Sequence, residues 1–176
     1  QKLIFVSVNI AFIIKKGYYY SMKNSNKILY SVSGNIAIFT INRPERRNAL
    51  DAETLEQINI LLDRAENDEK VRVILITGQG DTFSSGFDLK DQMEKAPEGK
   101  QWKPIIELDH RTIMRFWNSP KPTIAAVRGA CLAGGFELSL ACDFTICSKD
   151  SFFGEPELKF GACLLYTSPS PRDTIR

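Results

Sequence analysis

An α/β fold is expected, with a parallel sheet and helices crossing over its faces, and three features point to it. "VRVILIT" (Val71 to Thr77) is a nearly continuous apolar run, the mark of a strand buried on both faces. "PTIAAVRG" (Pro122 to Gly129) and "DFTIC" (Asp143 to Cys147) repeat that pattern. Helical spacing separates the runs, and a repeated strand, helix, strand order favours parallel strands joined by crossovers. With 176 residues and 43% apolar content the chain can bury one core, so one domain is expected.

From the N-terminus, "QKLIFVSVNIAFIIKKGYYYS" (residues 1–21) stands apart. Its apolar run from Leu3 to Ile14 is broken by Ser7 and Asn9 and is shorter than the ~20 residues that span a bilayer. No small-residue cleavage site follows, as a signal peptide would require. The Ile, Lys, Asn, Tyr and Phe content is that of translated AT-rich DNA, and Met22 precedes the first well-patterned segment. Residues 1–21 are therefore read as upstream sequence, with a genuine N-terminal extension as the competing reading. No membrane association is expected.

Ile28 to Ile41 holds two β-rich runs around Ser33-Gly34-Asn35, a hairpin pattern. After the break at Asn42-Arg43-Pro44, Asp51 can cap a helix whose apolar residues Leu55, Ile58, Leu62 and Ala65 recur at helical spacing. That helix should end near Asp68. The strand from Val71 enters a glycine-punctuated loop, "GQGDTFSSGFDLKD", followed by a polar stretch around Pro97 and Gly99. A helix is then expected from about Trp102 or Pro104 to Trp117. Beyond the second strand, "AGGFELSLAC" turns from glycines into a helix that leads to the third strand.

Charge and cysteine content exclude several functions. The 23 basic and 21 acidic residues leave a net charge of +2, and the basic residues are scattered, so no nucleic-acid partner is expected. Cys131, Cys142, Cys147 and Cys163 form no CxxC pair, and His110 is the single histidine, so no metal is expected. A reducing, cytoplasmic setting fits this cysteine usage.

Chemistry is expected where loops leave the carboxyl ends of buried strands. Gly78 to Asp88 and Gly129 to Gly135 are two such loops, rich in small residues that let backbone N–H groups approach a ligand. Two donors from separate loops, converging on one point, make an oxyanion hole. Taken alone, the first loop reads rather as a tight turn from strand to helix, since a G-x-G without the full fingerprint is weak. The second is the stronger candidate, because Gly134-Gly135 opens a helix whose unpaired N–H groups and dipole favour developing negative charge, although small residues there also permit close packing.

Three carboxylates lie near these loops. Glu137 falls in the first helical turn, where acids also serve as caps. Glu155 and Glu157 flank Pro156 and, in isolation, read as solvated surface acids. If one of them converges with Glu137, two carboxylates around a water can act as base and acid in adding it to a polarised alkene. His110, on a helix beside Asp109 and Arg111, lacks a serine in a nucleophile elbow and reads as a surface or packing histidine.

Four segments together resemble the crotonase, or enoyl-CoA hydratase/isomerase, family: "GNIAIFTINRPERRNALD", "TGQGDTFSSGFDLKD", "KPTIAAVRGACLAGGFELSLACD" and "FGEPELKFG", in the family's order and spacing from Gly34 to Gly161. The resemblance implies a crotonase-like (ClpP/crotonase) spiral of repeated ββα units, incomplete at the C-terminus, with residues 22–162 forming the partial core. It implies a thioester oxyanion hole made by the N–H groups of Phe87 and Gly134. Coenzyme A contacts would fall on Phe87, Asp88, Leu89 and Lys90, with Asn42 to Leu50 adding contacts to the same ligand.

Glu137 and Glu157 match both glutamates of the family's hydratases, which implies Glu137 as the base and Glu157 as the acid delivering a proton to the α-carbon. The implied activity is enoyl-CoA hydration in fatty acid metabolism. Isomerisation, decarboxylation or thioester hydrolysis through the same enolate are alternatives, and a non-catalytic acyl-CoA or RNA binding module is the alternative of another class. The implied substrate is a coenzyme A thioester with no permanently bound cofactor, and the implied assembly is a homotrimer or hexamer.

Two positions depart from the family pattern. Ala133 stands where many relatives carry a third glycine, a departure read as mild because its own N–H is not the donor invoked. Phe87 replaces a commoner small residue and leaves acyl chain length open. From Cys163 to Asp173 the chain resembles the translation of a transposon-type sequencing adapter, so residues 163–176 are read as an adapter-derived tail and excluded from fold arguments.

Overall fold

The computed structural model describes residues 18–20, 27–95 and 102–156. Glu157, the tail from Cys163, the polar stretch around Pro97 and most of residues 1–21 lie outside the described residues. In chain order the elements are β1 (Tyr18–Tyr20), β2 (Ile28–Ser33), β3 (Ile36–Ile41), a 3-10 turn (Pro44–Arg46), α1 (Ala52–Asn67), β4 (Val73–Gly78) and α2 (Leu89–Lys95). They continue with α3 (Trp102–Trp117), β5 (Thr123–Val127), β6 (Ala130–Leu132), α4 (Gly134–Ala141), β7 (Phe144–Cys147) and β8 (Phe152–Gly154).

The main sheet has six strands in the order β1-β2-β3-β4-β5-β7. Ser33 pairs with Ile36, leaving Gly34-Asn35 as a two-residue hairpin loop with Gly34 at φ 60°. A positive φ at the first central position is what a type II′ turn requires, and glycine meets it without strain. β1 joins the outer edge antiparallel to β2, whereas β3 to β4, β4 to β5 and β5 to β7 are parallel pairs. The sheet is therefore mixed, with the expected parallel part running from β3 to the last strand, β7.

Alternation divides the central strands between two faces, as a period of two dictates. Phe39, Ile41, Ile74, Ile76, Ala125 and Val127 enter the main core, and Ile38, Leu75 and Ala126 form a second buried cluster. Burial on both faces explains why these strands read as unbroken apolar runs.

α1 lays Leu55, Ile58, Leu61, Leu62 and Ala65 against the main core, where Ile113 and Phe116 of α3 and Leu138 of α4 join them. Removing each of these leucine, isoleucine and phenylalanine side chains from water contributes about 1.5–3 kcal/mol. Asp51 caps α1 as expected, its Oδ1 accepting from the Thr54 N–H at 2.8 Å and the Thr54 hydroxyl at 2.7 Å. At the other end Lys121 donates to the carbonyls of Ala65 and Asp68, both at 2.7 Å, satisfying groups the helix leaves open.

Because β3, β4, β5 and β7 run in one direction, their carboxyl ends lie along one edge of the sheet, and the loops that follow gather there. β6 and β8 were not expected. They pair in parallel as a small second sheet, with Leu132 opposite Gly154, in the same region. Among the described residues no helix is long and apolar enough to cross a membrane.

Candidate active site

Three loops meet at this edge, and two buried polar residues tie them together. Ser84 forms a parallel bridge to Cys131, with the Leu132 N–H donating to the Ser84 carbonyl at 3.0 Å. Its hydroxyl donates to the Asn48 carbonyl at 2.8 Å and accepts from the Gly86 N–H at 3.1 Å. Asn48 in turn accepts from the Arg43 N–H at 3.0 Å and donates to the carbonyls of Gln79 and Thr82 at 2.9 and 2.6 Å. Asn48 holds φ at 55°, a left-handed conformation that asparagine tolerates better than most residues. Ser84 escaped the sequence reading altogether, since only its position between "GQG" and "GFD" marks it.

This lacing brings the two expected donor loops into contact. Leu50 donates to the Gly86 carbonyl and accepts from the Asp88 N–H, both at 2.8 Å, in a parallel bridge to Phe87. A residue flanked in this way turns its own N–H away from its partner, so the Phe87 N–H points to the side opposite Leu50. On the other loop, Gly134 is the first residue of α4, where the helix supplies no acceptor for its N–H. A methyl group built on Gly86 would lie 3.1 Å from the Gly134 nitrogen, and one built on Gly134 would lie 2.6–2.7 Å from Cδ2 and Cζ of Phe87. The Phe87 ring thus rests on the Gly134 backbone, and no Cβ fits at either glycine.

Ala133 precedes Gly134 at φ 52° and ψ −133°, a conformation that L-residues adopt at a cost. Its N–H donates to the Gly154 carbonyl at 2.9 Å. The exchange of glycine for alanine is therefore not mild as the sequence reading held. The cost lies in the backbone dihedrals, which N–H bookkeeping does not reveal.

Glu137 sits in the first turn of α4, half-buried, its N–H bound to the Ala133 carbonyl at 3.0 Å. The bond from Ala133 to Gly154 draws the end of β8 against this turn, and the rings of Phe136 and Phe153 pack with centroids 5.5 Å apart. Glu155 follows directly and is half-buried rather than a solvated surface acid. Burial first, and the Glu155 charge in addition, push the Cys131 thiol up to about 12 despite a hydrogen bond with Ser139 that lowers it. His110 is exposed on α3.

Phe87 to Lys90 reach a cleft of about 380 Å³ also lined by Arg46, Arg47 and Ala49. Leu89 is exposed there, and Lys90 extends into solvent with Glu94 3.8 Å away. Asp88 behaves differently from its neighbours. Its carboxylate is buried between Arg43 and Arg46, each 3.1 Å away, and its Oδ1 accepts from the Asp91 N–H at 3.3 Å at the start of α2. Burial alone would raise this carboxyl, but the Asp91 N–H and then the two guanidiniums outweigh it and hold Asp88 below the ordinary carboxylate range. What reads as the end of a loop is the cap of a short helix.

Among the described residues no group of three or more His, Cys, Asp or Glu side chains could hold a metal ion.

The family model described as enoyl-CoA hydratase/isomerase matches residues 31–167. The short-chain-enoyl-CoA hydratase of Clostridium acetobutylicum is 35% identical over 138 residues, which cover 77% of this chain and 52% of that protein. A solved enoyl-CoA hydratase/isomerase from Xanthobacter autotrophicus Py2 is 58% identical, with a TM-score of 0.77 over 79% of this chain and 52% of that one. An enoyl-CoA hydratase from Polaromonas sp. JS666 is 34% identical, with a TM-score of 0.72 over 77% of this chain and 53% of that one. The chain spans about half the length of the curated relatives it matches. Sequence and fold agree over most of its length, and the chain belongs to the enoyl-CoA hydratase/isomerase family.

Proposed function

We propose that the protein adds water across the 2,3 double bond of a 2-enoyl-CoA. The observation that carries this reading is the approach of the Phe87 loop to the first residue of α4, with Glu137 one turn further on. In this reading the Phe87 and Gly134 N–H groups bind the thioester oxygen. Glu137 takes a proton from a water as its oxygen attacks C3, electron density moves through C2 onto the thioester oxygen, and Glu157 protonates C2. The product thus gains the water's oxygen and one of its protons together with the proton from Glu157, and the proton left on Glu137 returns to Glu157 through solvent, so the net change is the addition of one water. Fixed donors act where the enolate charge develops, each worth roughly 3 kcal/mol by analogy with other oxyanion holes.

Support for Glu157 comes from chain geometry: the bond between Ala133 and Gly154 holds the preceding segment against the turn that carries Glu137. The basic cleft beside Phe87, with Arg46, Arg47 and Lys90, suits the phosphates of coenzyme A. A reducing, cytoplasmic location suits the free thiols of Cys131, Cys142 and Cys147. A homotrimeric or hexameric assembly completes the proposal and is checked by light scattering.

Loss of crotonyl-CoA absorbance on adding the full-length protein tests the activity, and no loss across several chain lengths would sink it. Glu137→Gln and Glu157→Gln should each lower turnover by about 100-fold or more, as general acid–base groups do, with coenzyme A affinity retained. If Glu157→Gln alone keeps full turnover on a 3-enoyl-CoA, double-bond isomerisation replaces hydration as the reaction.

A further inference from the structure

We propose that Arg43 and Asp88 are a positioning pair that aims the Phe87 N–H at the thioester oxygen, and that Asp88 is not a contact to coenzyme A. The proposal rests on the acyl-CoA reading above and assigns to two residues a role behind the site.

Asp88 is spoken for on both oxygens. Oδ1 lies 3.1 Å from Arg46 and 3.3 Å from the Asp91 N–H, and Oδ2 lies 3.1 Å from Arg43 and 3.4 Å from Arg46. Its side chain is 5% exposed. A carboxylate so held gains nothing by meeting an anionic phosphate, because like charges disfavour each other and the guanidiniums already satisfy it.

Arg43 joins this carboxylate to the rigid part of the fold. The Nη2 atom that meets Asp88 also lies 3.1 Å from Asp51, the cap of α1, and Nη1 donates to the Ala49 carbonyl at 2.5 Å. Asp51 is fixed in turn by Thr54 and by Lys27 at 2.6 Å. An unbroken chain of charge-assisted bonds therefore runs from the start of α1 through Arg43 to Asp88, one residue from the proposed donor. The peptide on each side of Phe87 is also held, since Leu50 binds the Gly86 carbonyl and the Asp88 N–H. Bridge and ion pair together leave the Phe87 N–H one orientation, and a donor displaced by about 1 Å can cost 100-fold in rate.

The test uses Arg43→Met, Arg43→Lys and Asp88→Asn in the full-length protein, with crotonyl-CoA turnover, coenzyme A affinity and the infrared thioester carbonyl stretch of bound butyryl-CoA as readouts. Each variant should lower kcat by roughly 10- to 100-fold, as expected of a donor misdirected rather than lost, while KM and coenzyme A affinity change less than about threefold. The carbonyl band should move back toward its position in free butyryl-CoA, which a merely destabilised protein would not produce. Arg43→Lys keeps a charge and serves if Arg43→Met does not fold. The Arg43→Met/Asp88→Asn double variant should be no worse than the poorer single one. A tenfold loss of coenzyme A affinity with kcat unchanged in Asp88→Asn makes Asp88 a ligand contact and overturns the proposal. A band shift present in the unaltered protein and unchanged in the variants also overturns the pair alone, whereas no shift in the unaltered protein overturns the acyl-CoA reading beneath it.

Discussion

Replacing Ala133 by glycine should make the protein more stable, against the usual cost of putting glycine next to a helix. Ala133 holds φ 52° and ψ −133°, and a non-glycine residue in such a sparsely populated region costs of order 1–3 kcal/mol. Against this, glycine gains freedom in the unfolded chain worth about 0.5–1 kcal/mol. The lost methyl is half-buried, so burial contributes about 0.4 kcal/mol, half the value of a buried methylene. The balance is a stabilisation of about 1 kcal/mol, which for a chain of this size raises Tm by roughly 2–4 °C. Urea unfolding of the full-length protein and its Ala133→Gly variant, followed by circular dichroism, measures it directly. An unchanged or lower urea midpoint, with the same slope, refutes the claim that this backbone is strained. A supporting expectation follows at Gly86, where φ is 98° and a new methyl would lie 2.5 Å from the Ala133 Cβ. Gly86→Ala should destabilise strongly, and less so in the Ala133→Gly background.

Gly134→Ala should abolish activity and destabilise the protein, because the new Cβ meets the Phe87 ring. Adding Phe87→Ala should restore part of the stability, and purely additive losses in the double variant would rule out that contact. Asp88 and Asp51 both sit below the ordinary carboxylate value, so their stabilisation is complete above about pH 3.9 and is lost as pH falls through their lower folded values. The stability gap between the parent and Asp88→Asn should therefore shrink between pH 7 and pH 3, and a constant gap in urea titrations contradicts this. Burial holds the Cys131 thiol at about 12 and pushes Cys142 still further up. Iodoacetamide at pH 8 should leave both unmodified in the folded protein and alkylate them once it unfolds, as peptide mass mapping would show; rapid native labelling of either contradicts the packing.

What could be read along the chain was local, and what could not was paired across it. Asp51 and the spacing of Leu55, Ile58, Leu62 and Ala65 announce α1 because cap and apolar stripe lie within a few turns of each other. The strand at Val73–Gly78 announces itself because burial on both faces demands an unbroken apolar run. β6 and β8, by contrast, are three residues each and exist only by pairing with each other, so no period marks them. The site divides along the same line. Glu137 and the two glycines after Ala133 stand out in a motif, whereas the Ser84–Cys131 bridge is invisible to any window. Asp88 shows the consequence most plainly. Beside Leu89 and Lys90 it reads as one more surface contact, yet its partner Arg43 lies 45 positions away, and the ion pair gives it a different use. A motif thus locates residues near a ligand without sorting those that touch it from those that hold the others still. Burial and partnership make that distinction: a charged side chain left in solvent, such as Lys90, is available to a ligand, and one buried against a guanidinium that Asp51 and the Ala49 carbonyl hold in place is part of the frame.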